Sequence, residues 1–110
     1  MINCPISEGA QNTPHAPAIR LTDSIVTYET LHAFVTHTSI HIQSQHTNKV
    51  PIALCIRNPL KQIVTFWALL RLGIPCLPLN PSYPQEQIQR YLNDYEMGTV
   101  ILDDNRIKLK

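Results

Sequence analysis

Four histidines, His32, His37, His41 and His46, fall in one polar stretch. His37 and His41 are four apart, so a helix would place them on one face, where such a pair can hold zinc. A zinc site also needs a third ligand and an orienting second shell. The spacing is not H-E-x-x-H, because Thr38 stands where the glutamate would be. The stretch therefore reads as a solvated polar face with no metal. Asp103 and Asp104 follow the apolar run TVIL, and an acidic pair after a strand end can bind Mg²⁺. No lysine-bearing strand is expected after the pair, so it reads as a solvated loop. Cys4, Cys55 and Cys76 are an odd set without a C-x-x-C pair. Cys55 and Cys76 lie in apolar runs and read as packing residues. Nucleophilic catalysis needs a base within reach of Ser, Cys or Thr, and no G-x-S-x-G is present. Phosphate loops need clustered glycines near a helix start, whereas Gly9, Gly73 and Gly98 are scattered. No catalytic, cofactor-binding or metal-binding residue is assigned.

The chain that must position any chemistry has 110 residues, 44% of them hydrophobic and 15% charged. A soluble domain averages about 25% charge. A small domain has much surface for its volume, so the shortage implies that some of this surface is meant to be covered by more protein. Net charge is +1 with no charge runs, which leaves no electrostatic footprint for nucleic acid or an anionic membrane. No basic-then-apolar leader opens the chain. No apolar run approaches the roughly 20 residues of a spanning helix. Cysteine usage fits a reducing cytoplasm.

The predicted elements follow from punctuation and period. Residues 1–17 read as an irregular tail, broken by Pro5, Pro14 and Pro17, with only a weak helix over Ser7–Asn12 because of Gly9. The α/β core spans residues 18–110. AIRLTDSIVTY from Ala18 reads as a β-hairpin turning at Asp23-Ser24. Thr27 caps a helix from Tyr28 to about Ser44, with Leu31, Val35 and Ile42 on one face. Val50–Ile56 is an unbroken apolar run, the mark of a strand buried on both faces in a parallel sheet. Asn58 caps a helix from Pro59 to Leu72, and Gly73 stops it. Ile74–Leu79 is a strand in which Pro75 and Pro78 each lack a ladder donor. Ser82 or Tyr83 caps the next helix, which carries Ile88, Tyr91, Leu92 and Tyr95 in a stripe. Trp67, Tyr91 and Tyr95 read as core residues. Thr99–Leu102 is the last predicted strand. The fold class is thus α/β, a β-hairpin and helix followed by a β-α-β-α-β parallel-sheet unit.

Four stretches in order carry a resemblance: TPHAPAIRL (Thr13–Leu21), VTYETL (Val26–Leu31), VPIALCIRN (Val50–Asn58) and WALLRLGIPCLPLNPSYP (Trp67–Pro84). Together they resemble the start of the adenylate-forming (AMP-binding) superfamily, which includes acyl-CoA synthetases, luciferases and peptide-synthetase adenylation domains. Within it the short N-terminus looks most like o-succinylbenzoate–CoA ligases of menaquinone synthesis. The resemblance implies part of a large N-terminal domain. It implies ATP, Mg²⁺ and CoA as the cofactors of the whole enzyme, which adenylates a carboxylate and passes the acyl group to CoA. The family's phosphate loop, acyl pocket and catalytic lysine lie beyond the equivalent of Lys110, so the 110 residues alone are expected to be inactive. Some relatives carry a basic residue near CoA after the asparagine-proline turn; here Ser82 stands there. The implied partner is the remainder of the enzyme, or a second copy through the exposed apolar surface. Two other readings stay open, a truncated non-catalytic interaction module and a small α/β enzyme using Asp103-Asp104.

Overall fold

A computed structural model describes residues 4–45, 51–95, 99–102 and 107–109. The first described element is a helix, α1 (Pro5–Asn12), longer than the weak helix over Ser7–Asn12 and regular where the prolines suggest an irregular tail. Pro5 occupies the first helical position, where a missing N–H costs nothing. Gly9 faces the ring of Tyr28, and a Cβ there would overlap it. The glycine that weakens the helix by propensity is thus what permits close docking.

Strands β1 (Pro17–Arg20) and β2 (Ile25–Thr27) pair antiparallel with an irregularity between Pro17 and Ile19. Leu21 N donates to Ser24 O at 2.8 Å and closes the expected turn. Helix α2 (Tyr28–Gln45) follows at once. Its first three N–H groups, orphans in any helix, all find acceptors. Tyr28 N donates to Ala16 O at 3.1 Å and Glu29 N to Pro14 O at 3.0 Å. Thr30 N donates to Thr27 Oγ1 at 3.3 Å, the predicted cap. Leu31, Val35, Ser39 and Ile42 are buried. Ser39 satisfies its hydroxyl on Val35 O at 2.7 Å.

Strand β3 (Ile52–Cys55) leads to α3 (Pro59–Leu72), β4 (Cys76–Pro78), α4 (Gln85–Asp94), β5 (Thr99–Leu102) and β6 (Ile107–Leu109). The sheet order is β4-β3-β5-β6, with β3 parallel to β4 and β5, and β6 antiparallel to β5. Pro75 and Pro78 are tolerated because β4 pairs with β3 alone, on the edge of the sheet. Strand β6 was not expected, and it bears Lys108 opposite Val100, so a lysine-bearing strand does follow the acidic pair.

Period two divides the core. Ile52 and Leu54 of β3 pack with Val64, Ala68 and Leu69 of α3 and Val35 of α2. Ala53 and Cys55 pack on the other face with Ile88 and Leu92 of α4. Ile101 and Cys76 join the first cluster, Val100 and Leu77 the second. The result is three layers, α2 and α3 on one side of the sheet and α4 on the other.

Both ends of α3 are fixed by the predicted residues. Asn58 Oδ1 accepts from Lys61 N at 3.1 Å. Gly73 adopts φ 73°, a left-handed stop, while Ile74 N reaches back to Leu69 O at 2.9 Å. Asn58→Ala is expected to cost about 1 kcal/mol of unfolding free energy, read as a lower urea midpoint, whereas Asn58→Ser should leave the midpoint nearly unchanged.

Candidate functional site

Open parallel sheets bind ligands outside the carboxyl ends of their strands, where the strand order reverses. Here the chain steps from β3 outward to β4, then crosses back over β3 to β5. The described residues at that edge are Ile56-Arg57-Asn58 after β3 and Leu79 to Pro84 after β4. Arg57 Nη2 donates to Pro81 O at 3.0 Å and ties the two turns together. Asn80 builds its turn from side chain and backbone: Oδ1 accepts from Ser82 N at 2.9 Å, and its carbonyl from Tyr83 N at 3.0 Å. Leu79 N donates to Leu54 O at 2.7 Å and holds the turn against the sheet. Neither Ser82 nor Tyr83 caps α4, which corrects the expectation. Pro84 occupies the cap position with no side-chain bond, because the Asn80 turn places Ser82 and Tyr83 before the cap.

Aromatic residues line the approach to α4. The Tyr83 and Tyr91 rings lie 6.2 Å apart and the Tyr91 and Tyr95 rings 6.5 Å apart. Tyr91 is partly buried against the second cluster. Tyr95 is 59% exposed, so it is not the core residue its place in the stripe suggests; it sits after the last turn of α4, beyond the sheet's cover. Trp67 packs partly buried against the first cluster, edge-on to Phe66 at 5.8 Å.

His37 and His41 are both exposed on α2. Among the described residues no group of three or more His, Cys, Asp or Glu could hold a metal ion. His46, Asp103 and Asp104 lie outside the described residues. His32 departs from the solvated face. It turns into a cluster with Ser7, Thr36 and Arg71, where Arg71 Nη2 donates to His32 Nδ1 at 3.2 Å and to Ser7 Oγ at 3.2 Å. Arg71 Nη1 donates to Thr36 Oγ1 at 2.8 Å. Sequence reasoning missed this cluster, although an arginine in the otherwise apolar second half of α3, from Phe66 to Leu72, was its signal. No helix among the described residues is long and apolar enough to cross a membrane.

Comparison with known proteins places this geometry. Residues 6–110 match the AMP-binding enzyme family. The chain is similar to polyketide synthase PksN of Bacillus subtilis, 28% identical over 99 residues, which cover 89% of this chain and 2% of that protein. It is 29% identical over 104 residues to tyrocidine synthase 3 of Brevibacillus parabrevis, covering 94% of this chain and 2% of the relative. The chain thus spans only a small fraction of the curated relatives. Among solved structures, it superposes on the N-terminal subdomain of Klebsiella oxytoca NpsA in complex with 3-hydroxyanthranilyl-AMSN. That match has a TM-score of 0.83 at 22% identity and covers 90% of this chain and 26% of that one. It also superposes on o-succinylbenzoate coenzyme A synthetase from Bacillus subtilis in complex with ATP and magnesium ion. There the TM-score is 0.80 at 22% identity, over 89% of this chain and 27% of that one. These structures establish the α/β fold as that of the N-terminal subdomain of adenylate-forming enzymes, and the family match over nearly the whole length establishes the rest: the chain belongs to the AMP-binding enzyme family.

Proposed function

We propose that the protein containing this chain activates a carboxylic acid with ATP and Mg²⁺ as an acyl adenylate, and that these 110 residues supply part of its N-terminal α/β framework. The observation that carries this reading is the family match over residues 6–110. Adenylation turns a poor leaving group into a good one, with Mg²⁺ and cations stabilising charge on the phosphates. The described residues do not themselves fit those groups. They contain no acidic or histidine cluster for a metal and no glycine-rich turn, so no step is assigned to them. Their contribution is to hold the carboxyl edge of the sheet in place, through the Arg57–Pro81 bond and the Asn80 turn. The exposed Ile25, Phe34, Ile40 and Leu70 suit a surface covered by the remainder of such an enzyme, and an odd cysteine count with no C-x-x-C pair suits a reducing cytoplasm.

Two acceptors for the acyl group are weighed. The similarity to peptide and polyketide synthases favours adenylation within a synthase of that kind. The fold match to o-succinylbenzoate coenzyme A synthetase supports the second reading, a CoA ligase of menaquinone synthesis. Incubating the full-length gene product with ATP, Mg²⁺ and either amino and aryl acids or o-succinylbenzoate separates them. Synthase-type function predicts adenylate formation with an amino or aryl acid and no acyl-CoA. Accumulation of o-succinylbenzoyl-CoA establishes the second reading. The 110-residue chain alone is expected to form no adenylate; if it does, the framework reading is wrong.

A further inference from the structure

The chain leaves β3 for α3 on one face of the sheet and leaves β4 for α4 on the other. Adjacent strands whose connections run to opposite faces open a crevice outside their carboxyl ends, where open α/β sheets take their ligands. The bond from Arg57 Nη2 to Pro81 O crosses that crevice. Arg57 stands between Ile56, which is buried, and Asn58, whose side chain caps α3, so its guanidinium extends from a fixed base. The opposite wall is the turn from Leu79 to Pro84. It is fixed at its start by Leu79 N on Leu54 O. The bonds from Ser82 N and Tyr83 N to Asn80 lie within the turn, so they set its shape and not its place. Place comes from Arg57 and from the Tyr83 ring, which lies 6.2 Å from that of Tyr91. Tyr91 is itself held, packed against the second cluster with its hydroxyl oxygen accepting from Gln87 Nε2 at 3.3 Å.

We propose that Arg57 and Tyr83 are positioning residues for the adenylation reaction, which together pin the Asn80–Pro84 turn at one width across the crevice so that a substrate meets a preformed wall. The inference rests on the adenylation reading and deepens it by naming the residues and the step they serve, which is substrate binding. Removing either anchor lets the turn swing, and binding must then order it before the substrate is held. Neither side chain is assigned a contact with reacting atoms. The loss therefore falls alike on the bound substrate and on the transition state, which raises KM and leaves kcat in place. Lysine at position 57 still offers a donor to Pro81 O, but as a point charge without the planar fork, so it keeps part of the effect.

The test is steady-state ATP–pyrophosphate exchange by the full-length gene product, with KM measured for ATP and for the acid that supports exchange. Arg57→Met should raise one of these KM values by about tenfold with kcat held within about twofold. Tyr83→Leu should raise the same KM. The double variant should raise it by less than the product of the single effects, because both residues act on one turn. Arg57→Lys should recover part of the loss. Partial unfolding does not mimic this pattern: it lowers the amount of active enzyme and hence the apparent kcat, and leaves the KM of the folded remainder untouched. His37→Ala, exposed on α2, is the control and should keep the wild-type constants. Unchanged KM values in Arg57→Met overturn the inference. So does a fall in kcat alone, or a double variant whose effect equals the product of the single ones. If Arg57→Met does not fold, Arg57→Lys and Tyr83→Leu decide by the same pattern. A wild-type protein that exchanges no pyrophosphate overturns the adenylation reading and this inference together, whereas wild-type exchange with unaltered KM values in the variants overturns this inference alone.

Discussion

Leu54→Ala is expected to lower the unfolding free energy by about 2–5 kcal/mol. Leu54 is fully buried on β3, the strand with parallel partners on both sides. Its register neighbours are Pro78 and Ile101, and its side chain fills the layer between the sheet and the α2–α3 pair. Deleting three carbon atoms there removes apolar burial and leaves a cavity. The backbone, hydrogen-bonded on both edges, is poorly placed to collapse into it. A domain's whole stability is about 5–15 kcal/mol, so the variant loses a large share of it. Urea unfolding should show a lower midpoint at an unchanged slope. Ile40→Ala serves as control, since Ile40 is 63% exposed; its effect should stay within about 0.5 kcal/mol. Equal shifts from the two substitutions would refute the burial assigned to β3.

Gly9→Ala should destabilise by about 1–3 kcal/mol, although the same change in a free helix stabilises by roughly 0.5–1 kcal/mol. The sign reverses because the new methyl group meets the Tyr28 ring. Removing the ring should restore the ordinary sign. In a Tyr28→Ala background, Gly9→Ala is expected to be neutral or stabilising, and the double-mutant cycle reads the coupling directly. A raised urea midpoint for Gly9→Ala in the native background would mean that α1 does not dock on α2 at this point.

The same residue explains what the sequence conveyed and what it did not. Local signals were sufficient wherever an element is closed by its own neighbours. Thr27, Asn58 and Gly73 fix helix ends through bonds within three or four residues, and each end falls where its chemistry puts it. The unbroken run through Ile52–Cys55 reports burial on both faces, because helices cover both. Helix α1 was underestimated because its support is distant. Gly9 is compensated by Tyr28 and Ser7 by Arg71, contacts that no local propensity registers. Tyr95 misled for the reverse reason, since a helical stripe continues in sequence past the point where the sheet can cover it. Strand β6 has three residues, too few for alternation to announce it, and its place comes from pairing with β5.

The adenylating chemistry was legible only as kinship. No described side chain belongs to a metal-binding cluster, and spacing alone offered the pair His37 and His41, which the fold leaves exposed. What identifies the chain is the order of its framework motifs, ending in the helix, glycine stop and proline-broken edge strand from Trp67 to Pro84. That element is rigid for stated reasons: a left-handed Gly73, an edge position for Pro75 and Pro78, and an Asn80 turn anchored by Arg57. It positions an edge of the sheet, and catalytic groups are not required within it.

Acid-dependent exchange of labelled pyrophosphate into ATP by the full-length gene product tests the adenylation reading most directly. The expected result is Mg²⁺-dependent exchange stimulated by one class of carboxylic acid and absent without acid. A folded gene product that exchanges no pyrophosphate with any amino acid, aryl acid or o-succinylbenzoate would contradict it.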